Sequence, residues 1–174
     1  MEHDGDIGIG FIHIDVKMAL RRACEPSIVG HWRSHLSTRK HGSMKILAID
    51  DDSSALEILS MLVAHAGYSD IETAASAGIA LERITSASRP FECILLDIQM
   101  PVMDGIEFCD LLRRLPGYGD CPIIMVTAMT DKRYMDQAYA AGASAYVTKP
   151  FDANGLAVCL ADAARRLGDA RMHG

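Results

Sequence analysis

From Lys45 onward the chain repeats one kind of unit: a short apolar run, a stretch with helical spacing of apolar residues, and a brief connection. The apolar runs fall at residues 45–49, 69–73, 91–97, 121–127 and 144–148. An unbroken apolar run of this length reads as a strand covered on both faces. The more polar run at 69–73 reads as an edge strand. Between the runs, Leu56, Leu59 and Val63 line one helical face with Leu62 alongside, and Gly67 ends that helix. Ser53 or Ser54 is expected to cap it, since Ser54 and Glu57 have capping-box spacing. Further helices are expected at 74–84, anchored by Leu81 and Ile84, at 105–115 and at 131–141. A last helix, capped by Asp152, carries Leu156, Leu160, Ala164 and Leu167 and runs out near Gly168.

Five strands alternating with five helices over about 125 residues leave connections too short for anything but parallel strands with right-handed crossovers. The expected fold is α/β: a flavodoxin-like doubly wound sheet in the order 2-1-3-4-5, with helices on both faces. The 45–168 segment forms this domain. Residues 1–44 read as an N-terminal extension, flexible or derived from the start of the gene or its cloning, and 169–174 as a tail. Too few residues follow Leu167 for an output domain such as a helix-turn-helix.

The formal net charge of −6 argues against non-specific nucleic-acid binding. No stretch approaches a transmembrane span, and no secretory signal stands out, so a cytoplasmic location is expected. Five cysteines without a C-x-x-C pair fit small buried thiols in a reducing compartment. Five of the seven histidines lie before residue 44, but with no ligand spacing that recommends a metal site.

The chemistry sits at the strand ends. In an open α/β sheet the C-terminal edge of the strands is where ligands are handled. Strand 1 ends in Asp50-Asp51-Asp52, and strand 3 ends in Asp97. Carboxylates brought so close repel one another and call for a positive partner. Mg²⁺, a hard cation that takes oxygen ligands and keeps several waters, answers that need. Its expected ligands are the Asp51 and Asp97 carboxylates and the backbone carbonyl of Gln99, with Asp50 acting through water. Thr127 ends strand 4, and Lys149 follows strand 5. Three acids, a hydroxyl and a lysine on one edge make a phosphoryl-transfer site, with one carboxylate as nucleophile. Asp97, alone at the end of the central strand, is assigned the attack.

These residues resemble the receiver domain of two-component response regulators. The resemblance rests on Ile49-Asp50-Asp51-Asp52, on Leu96-Asp97-Ile98-Gln99-Met100-Pro101-Val102-Met103-Asp104-Gly105, on Val126-Thr127-Ala128 and on Thr148-Lys149-Pro150-Phe151. It runs from Lys45 to Leu167, with thirty residues from Asp97 to Thr127 and twenty-two from Thr127 to Lys149. It implies that Asp50 and Asp51 are the acidic pair and Asp97 the phosphoacceptor. Thr127 would turn toward the phosphoryl group, and Lys149 would pair with it. Tyr146 would be the aromatic switch, and the Lys149–Pro150 bond would be cis. The Gln99 side chain would bear on phosphoryl lifetime.

By the same resemblance the phosphoryl donor is a sensor histidine kinase or a histidine phosphotransfer protein. The responding surface is helix 4, strand 5 and helix 5. Its mixed charges, among them Asp131-Lys132-Arg133, Asp162 and Arg165-Arg166, suit reciprocal ion pairs in a phosphorylation-linked homodimer. Three other readings fit less well. A phosphorylation-independent binding module on this fold would have lost Asp97, Lys149 or the acidic pair. A Mg²⁺-dependent phosphatase with an aspartate nucleophile needs a catalytic Ser or Thr on strand 2, where Thr73 is a poor candidate. A nucleotide or flavin binder lacks a glycine-rich loop after strand 1.

Overall fold

The computed structural model describes residues 44–151 and 153–172. Both the N-terminal extension and Asp152, the expected cap of the last helix, lie outside the described residues. The elements are β1 (Ile46–Ile49), α1 (Ser53–His65), β2 (Ile71–Ala74), α2 (Ala77–Ser86), β3 (Cys93–Leu96), α3 (Gly105–Arg113), β4 (Ile123–Thr127), α4 (Lys132–Ala140), β5 (Ala145–Thr148) and α5 (Ala153–Met172). All strand pairs are parallel, in the order β2-β1-β3-β4-β5. This is the doubly wound architecture expected from the alternation.

The period-2 geometry of a strand explains why the central runs are apolar throughout. Leu47, Ile49, Ile94, Leu96, Ile123 and Met125 point to one face, where α2, α3 and α4 supply Leu81, Ile84, Phe108, Leu112 and Ala138. Ile46, Ala48, Cys93, Leu95, Ile124 and Val126 point to the other, covered by Leu56, Leu59 and Val63 of α1 and Leu156 and Leu160 of α5. Burying an aliphatic side chain of this size stabilises by about 1.5–3 kcal/mol. The two layers hold the sheet from both sides, so its strand ends are fixed.

Three local expectations are corrected. Asp52, not Ser53 or Ser54, caps α1, its side chain accepting the Ser54 N–H at 2.9 Å. An aspartate in extended backbone immediately ahead of the helix is as good a cap as serine. α2 begins three residues later than expected, at Ala77 and capped by Ser76, because Ala74 completes β2 opposite Ile49. Sheet pairing overrides alanine's helix preference there. α5 passes through Gly168 to Met172. Ion pairs of Asp162 with Arg165 and Arg166, and of Arg165 with Asp169, brace its last turns across the glycine.

Cys93, Cys109 and Cys121 are buried, Cys159 is half-buried, and all four are free. Burial pushes the Cys109 thiol up to about 11 and the Cys121 thiol up to about 12, which makes them packing residues rather than nucleophiles. Among the described residues no helix is long and apolar enough to cross a membrane.

Candidate functional site

β1 and β3 are neighbours in register, Ile49 opposite Leu96, so the residues that follow them emerge side by side. The Asp97 amide donates to the Ile49 carbonyl at 2.9 Å, and the Asp50 amide to the Ala74 carbonyl at 3.1 Å. The sheet ladder therefore runs one residue beyond β1 and β3 and pins the two aspartates. Asp50, Asp51 and Asp97 each offer a carboxylate oxygen, and those oxygens all lie within 4.8 Å of one another. Asp50 and Asp97 are buried, whereas Asp51 is exposed.

Lys149 sits among them. Its Nζ is 2.6 Å from Asp50 and 3.1 Å from Asp97. The lysine is placed by its own backbone, whose N–H donates to the Thr127 carbonyl at 2.8 Å, and by a cis Lys149–Pro150 bond. Asp50 is used twice inside the protein. One of its oxygens takes the lysine, and the other accepts the Asp52 N–H at 3.0 Å. With both oxygens engaged, Asp50 suits an indirect role toward a cation, while Asp51 faces solvent.

The electrostatics follow from this crowding. Burial raises the Asp97 pKa above the usual aspartate value. Lys149 and the Gln99 backbone N–H pull it back, the nearby Asp50 adds to the rise, and the net shift is upward. Burial on its own would lower Lys149, but the hydrogen bond it donates to Asp50 and the charge of Asp97 outweigh it and leave the lysine raised. Two of the three carboxylates, Asp50 and Asp97, thus share Lys149, while Asp51 has no ion pair among the described residues. An oxygen-only set with surplus negative charge fits a hard divalent ion, and the cluster is compatible with Mg²⁺.

Thr127, fully buried, closes β4 one strand away. Its hydroxyl accepts the Met129 N–H at 3.3 Å. The Tyr146 hydroxyl donates to the Met129 carbonyl at 2.8 Å, so Thr127 and Tyr146 hold the same residue from its two polar groups. The Gln99 side chain is exposed, and its backbone N–H serves Asp97. The fold thus gathers Asp50, Asp51, Asp97 and Lys149 into one cluster, with Thr127 and Tyr146 joined through Met129 beside it.

Two supporting features went unread in the sequence. Asp104 and Glu107 form a capping box at the start of α3, a spacing that is legible in the chain. Val102 takes φ +73° with its side chain fully exposed, a conformation that costs a β-branched residue on the order of 1–2 kcal/mol. No local signal announces it, because the loop's closure imposes it.

A doubly wound sheet with an aspartate cluster and one lysine at its C-terminal edge defines a phosphoryl-handling signalling domain rather than a nucleotide binder. Residues 46–161 match the family model of the response regulator receiver domain, and the chain belongs to that family. It is 36% identical over 110 residues to the signal transduction histidine-protein kinase BarA of Escherichia coli K12, covering 63% of this chain and 12% of the kinase. It is 36% identical over 108 residues to the transcriptional regulator RpaA of Synechocystis, covering 62% of this chain and 44% of the regulator. The chain therefore spans less than half the length of these relatives. Among solved structures, the chemotaxis protein CheY4 of Vibrio cholerae superposes with a TM-score of 0.64 at 34% identity, over 70% of this chain and 99% of that one. The chain is a CheY-like receiver domain with the aspartate-cluster site typical of phosphoaspartate signalling.

Proposed function

We propose that Asp97 is the phosphoryl acceptor, and that the donor is the phosphohistidine of a sensor histidine kinase or a histidine phosphotransfer protein. The observation that carries this is the cluster itself: Asp50, Asp51 and Asp97 gathered within 4.8 Å around a single lysine. A carboxylate oxygen of Asp97 attacks phosphorus, a P–O bond forms, and the P–N bond of the phosphohistidine breaks. The P–N electron pair stays with the departing imidazole nitrogen, which takes a proton from solvent. The Asp51 and Asp97 carboxylates and the Gln99 carbonyl would hold Mg²⁺, with Asp50 behind a water, and the ion would neutralise the charge that three acids and a phosphoryl dianion bring together. Lys149 and Thr127 hold the phosphoryl oxygens.

The new charge, about −2 on the acyl phosphate, is read out by Thr127 and by Tyr146 through the Met129 segment. The output is a protein–protein contact on the α4–β5–α5 face, of which a second copy of the chain is one occupant. That face is less charged than its sequence suggested. Lys132 pairs with Asp136, Arg133 with Asp131, and Arg165 and Arg166 with Asp162, all within their own elements. A dimer there would have to exchange these internal pairs for reciprocal ones. The domain assignment is 45–168, with α5 continuing beyond it, and the setting is cytoplasmic with no nucleic-acid or membrane contact.

Intact-mass analysis with Mg²⁺ and acetyl phosphate tests the chemistry. One phosphoryl adduct is expected in wild type, and none in Asp97→Asn or without Mg²⁺. An adduct that survives in D97N would remove Asp97 from its role. Sizing chromatography of the same sample reads the dimer. A kinase partner bound equally well by D97N would favour a phosphorylation-independent module.

A further inference from the structure

Resting on the reading of Asp97 as acceptor, we propose that Gly105 is a positioning residue for the site, setting where the Asp97 carboxylate and the Gln99 backbone stand. The loop from Asp97 to Gly105 closes back on itself. Gly105 donates its N–H to the Ile98 carbonyl at 2.9 Å, and within the loop Met100 and Met103 donate to Ile98 and Pro101. At this neck a Cβ on residue 105 would lie 2.0 Å from the Asp97 carbonyl oxygen and 2.9 Å from both the Asp97 carbonyl carbon and the Ile98 Cα. Those neighbours are backbone, so no rotamer change relieves them. The Asp104 cap and the Phe108 and Leu112 side chains, fully buried, fix α3 on the other side of the contact.

A side chain at 105 therefore pushes the peptide between Asp97 and Ile98. The Asp97 amide is held by Ile49, so the displacement passes into the Asp97 carboxylate and into residues 98–99. Gln99, whose N–H supports that carboxylate and whose carbonyl is an expected cation ligand, lies on the moving segment. Asp51 and Lys149 belong to other strands and stay where they are. The fully exposed Val102 at φ +73° marks the same tight closure from its far side.

The test titrates MgCl₂ into Gly105→Ala and wild type, following amide NMR shifts of Asp51 and Gln99, and measures acetyl phosphate labelling in parallel. G105A is expected to bind Mg²⁺ at least ten-fold more weakly and to label at least a hundred-fold more slowly while remaining folded. Leu112→Ala, a buried change further along α3, is the destabilised control and is expected to keep Mg²⁺ affinity within two-fold. Should G105A fold poorly, Val102→Gly is added to give the loop slack, and the same thresholds apply to the pair against V102G alone. A folded variant within two-fold of its reference in Mg²⁺ affinity overturns the proposal. Failure of both variants to fold overturns it too, since Gly105 would then serve the fold and not the site. If wild type binds Mg²⁺ but takes no phosphoryl group, the acceptor reading fails, and the Mg²⁺ comparison still decides the role of Gly105.

Discussion

The two ends of the sheet handle charge in opposite ways. At the N-terminal end Lys45 pairs with Glu72 at 2.8 Å and stacks 4.3 Å above the Phe91 ring, and Arg83 shares Glu72 at 3.2 Å. Arg89 pairs with Asp70 and lies near Glu92. Arg113 donates to the carbonyls of Tyr118, Cys121 and Gly142 and ties α3 to the start of β4 and to the α4–β5 turn. Here Glu72, Asp70 and Glu92 each meet a base. At the C-terminal end Asp50, Asp51 and Asp97 are clustered, and among the described residues Lys149 is the base that pairs with two of them, Asp50 and Asp97. The carboxyl shifts record the contrast: the Lys45 hydrogen bond is the largest influence on Glu72 and lowers it, while burial is the largest on Asp97 and raises it. One end pairs its charges within the fold, and the other carries a surplus of negative charge compatible with a hard cation.

The comparison breaks most sharply at Asp97. D97N is expected to abolish the phosphoryl adduct, yet to raise stability by about 0.5–2 kcal/mol in metal-free buffer, because it removes one of three crowded charges. Thermal melts with EDTA read this, and a lower midpoint for D97N would contradict it. Arg113→Ala, at the other end, is expected to cost about 2–4 kcal/mol by leaving carbonyls without their charged donor. Its Mg²⁺ affinity in the folded state should not move, which urea titration and NMR together would show.

Lys149→Met removes the base that pairs with Asp50 and Asp97. A loss of about 1–3 kcal/mol is expected, discounted for the lysine's partial exposure, and Mg²⁺ should restore part of it. Acid and base responses sharpen the contrast further. Glu72 is lowered, so its contribution is present above the ordinary glutamate range and is lost as pH falls through its folded value. Asp97 is raised, so the folded state favours its protonated form. That contribution is complete below the ordinary aspartate range and is lost as pH rises through the folded value. Metal-free D97N should lack the second component and E72Q the first, measured as melting midpoint against pH. The smallest effect lies at neither end: Gly168→Ala, in a helix where the new Cβ meets nothing within 4 Å, should gain about 0.5–1 kcal/mol.

Much of the acidic end was legible in the chain. Asp50, Asp51 and Asp97 follow apolar runs that are parallel neighbours, so their ends meet, while Lys149 follows the edge strand β5 and reaches Asp50 and Asp97 across the end of β4. The balanced end was not legible. Lys45 and Glu72, or Arg113 and Gly142, are far apart in sequence and belong to no motif, so nothing local announces their pairing. The α4–α5 charges were visible, but their choice of partner was not. Asp162 and Arg165 look equally ready for a second copy of the chain until the helix places them one turn apart.

The sequence by itself determined the parallel doubly wound sheet, its strand order, its two apolar layers and the identity of the acids and the lysine at one edge. Those follow from the periodicity of apolar residues and the shortness of the connections, both of which are local properties. Only the tertiary structure decided that Asp52 caps α1, that Ala74 joins β2, that Asp50 is engaged at both oxygens, and that Gly105 presses against the Asp97 carbonyl. These depend on distances between segments set by packing, where a few tenths of an ångström separate a contact from a clash, and no pattern along the chain encodes them.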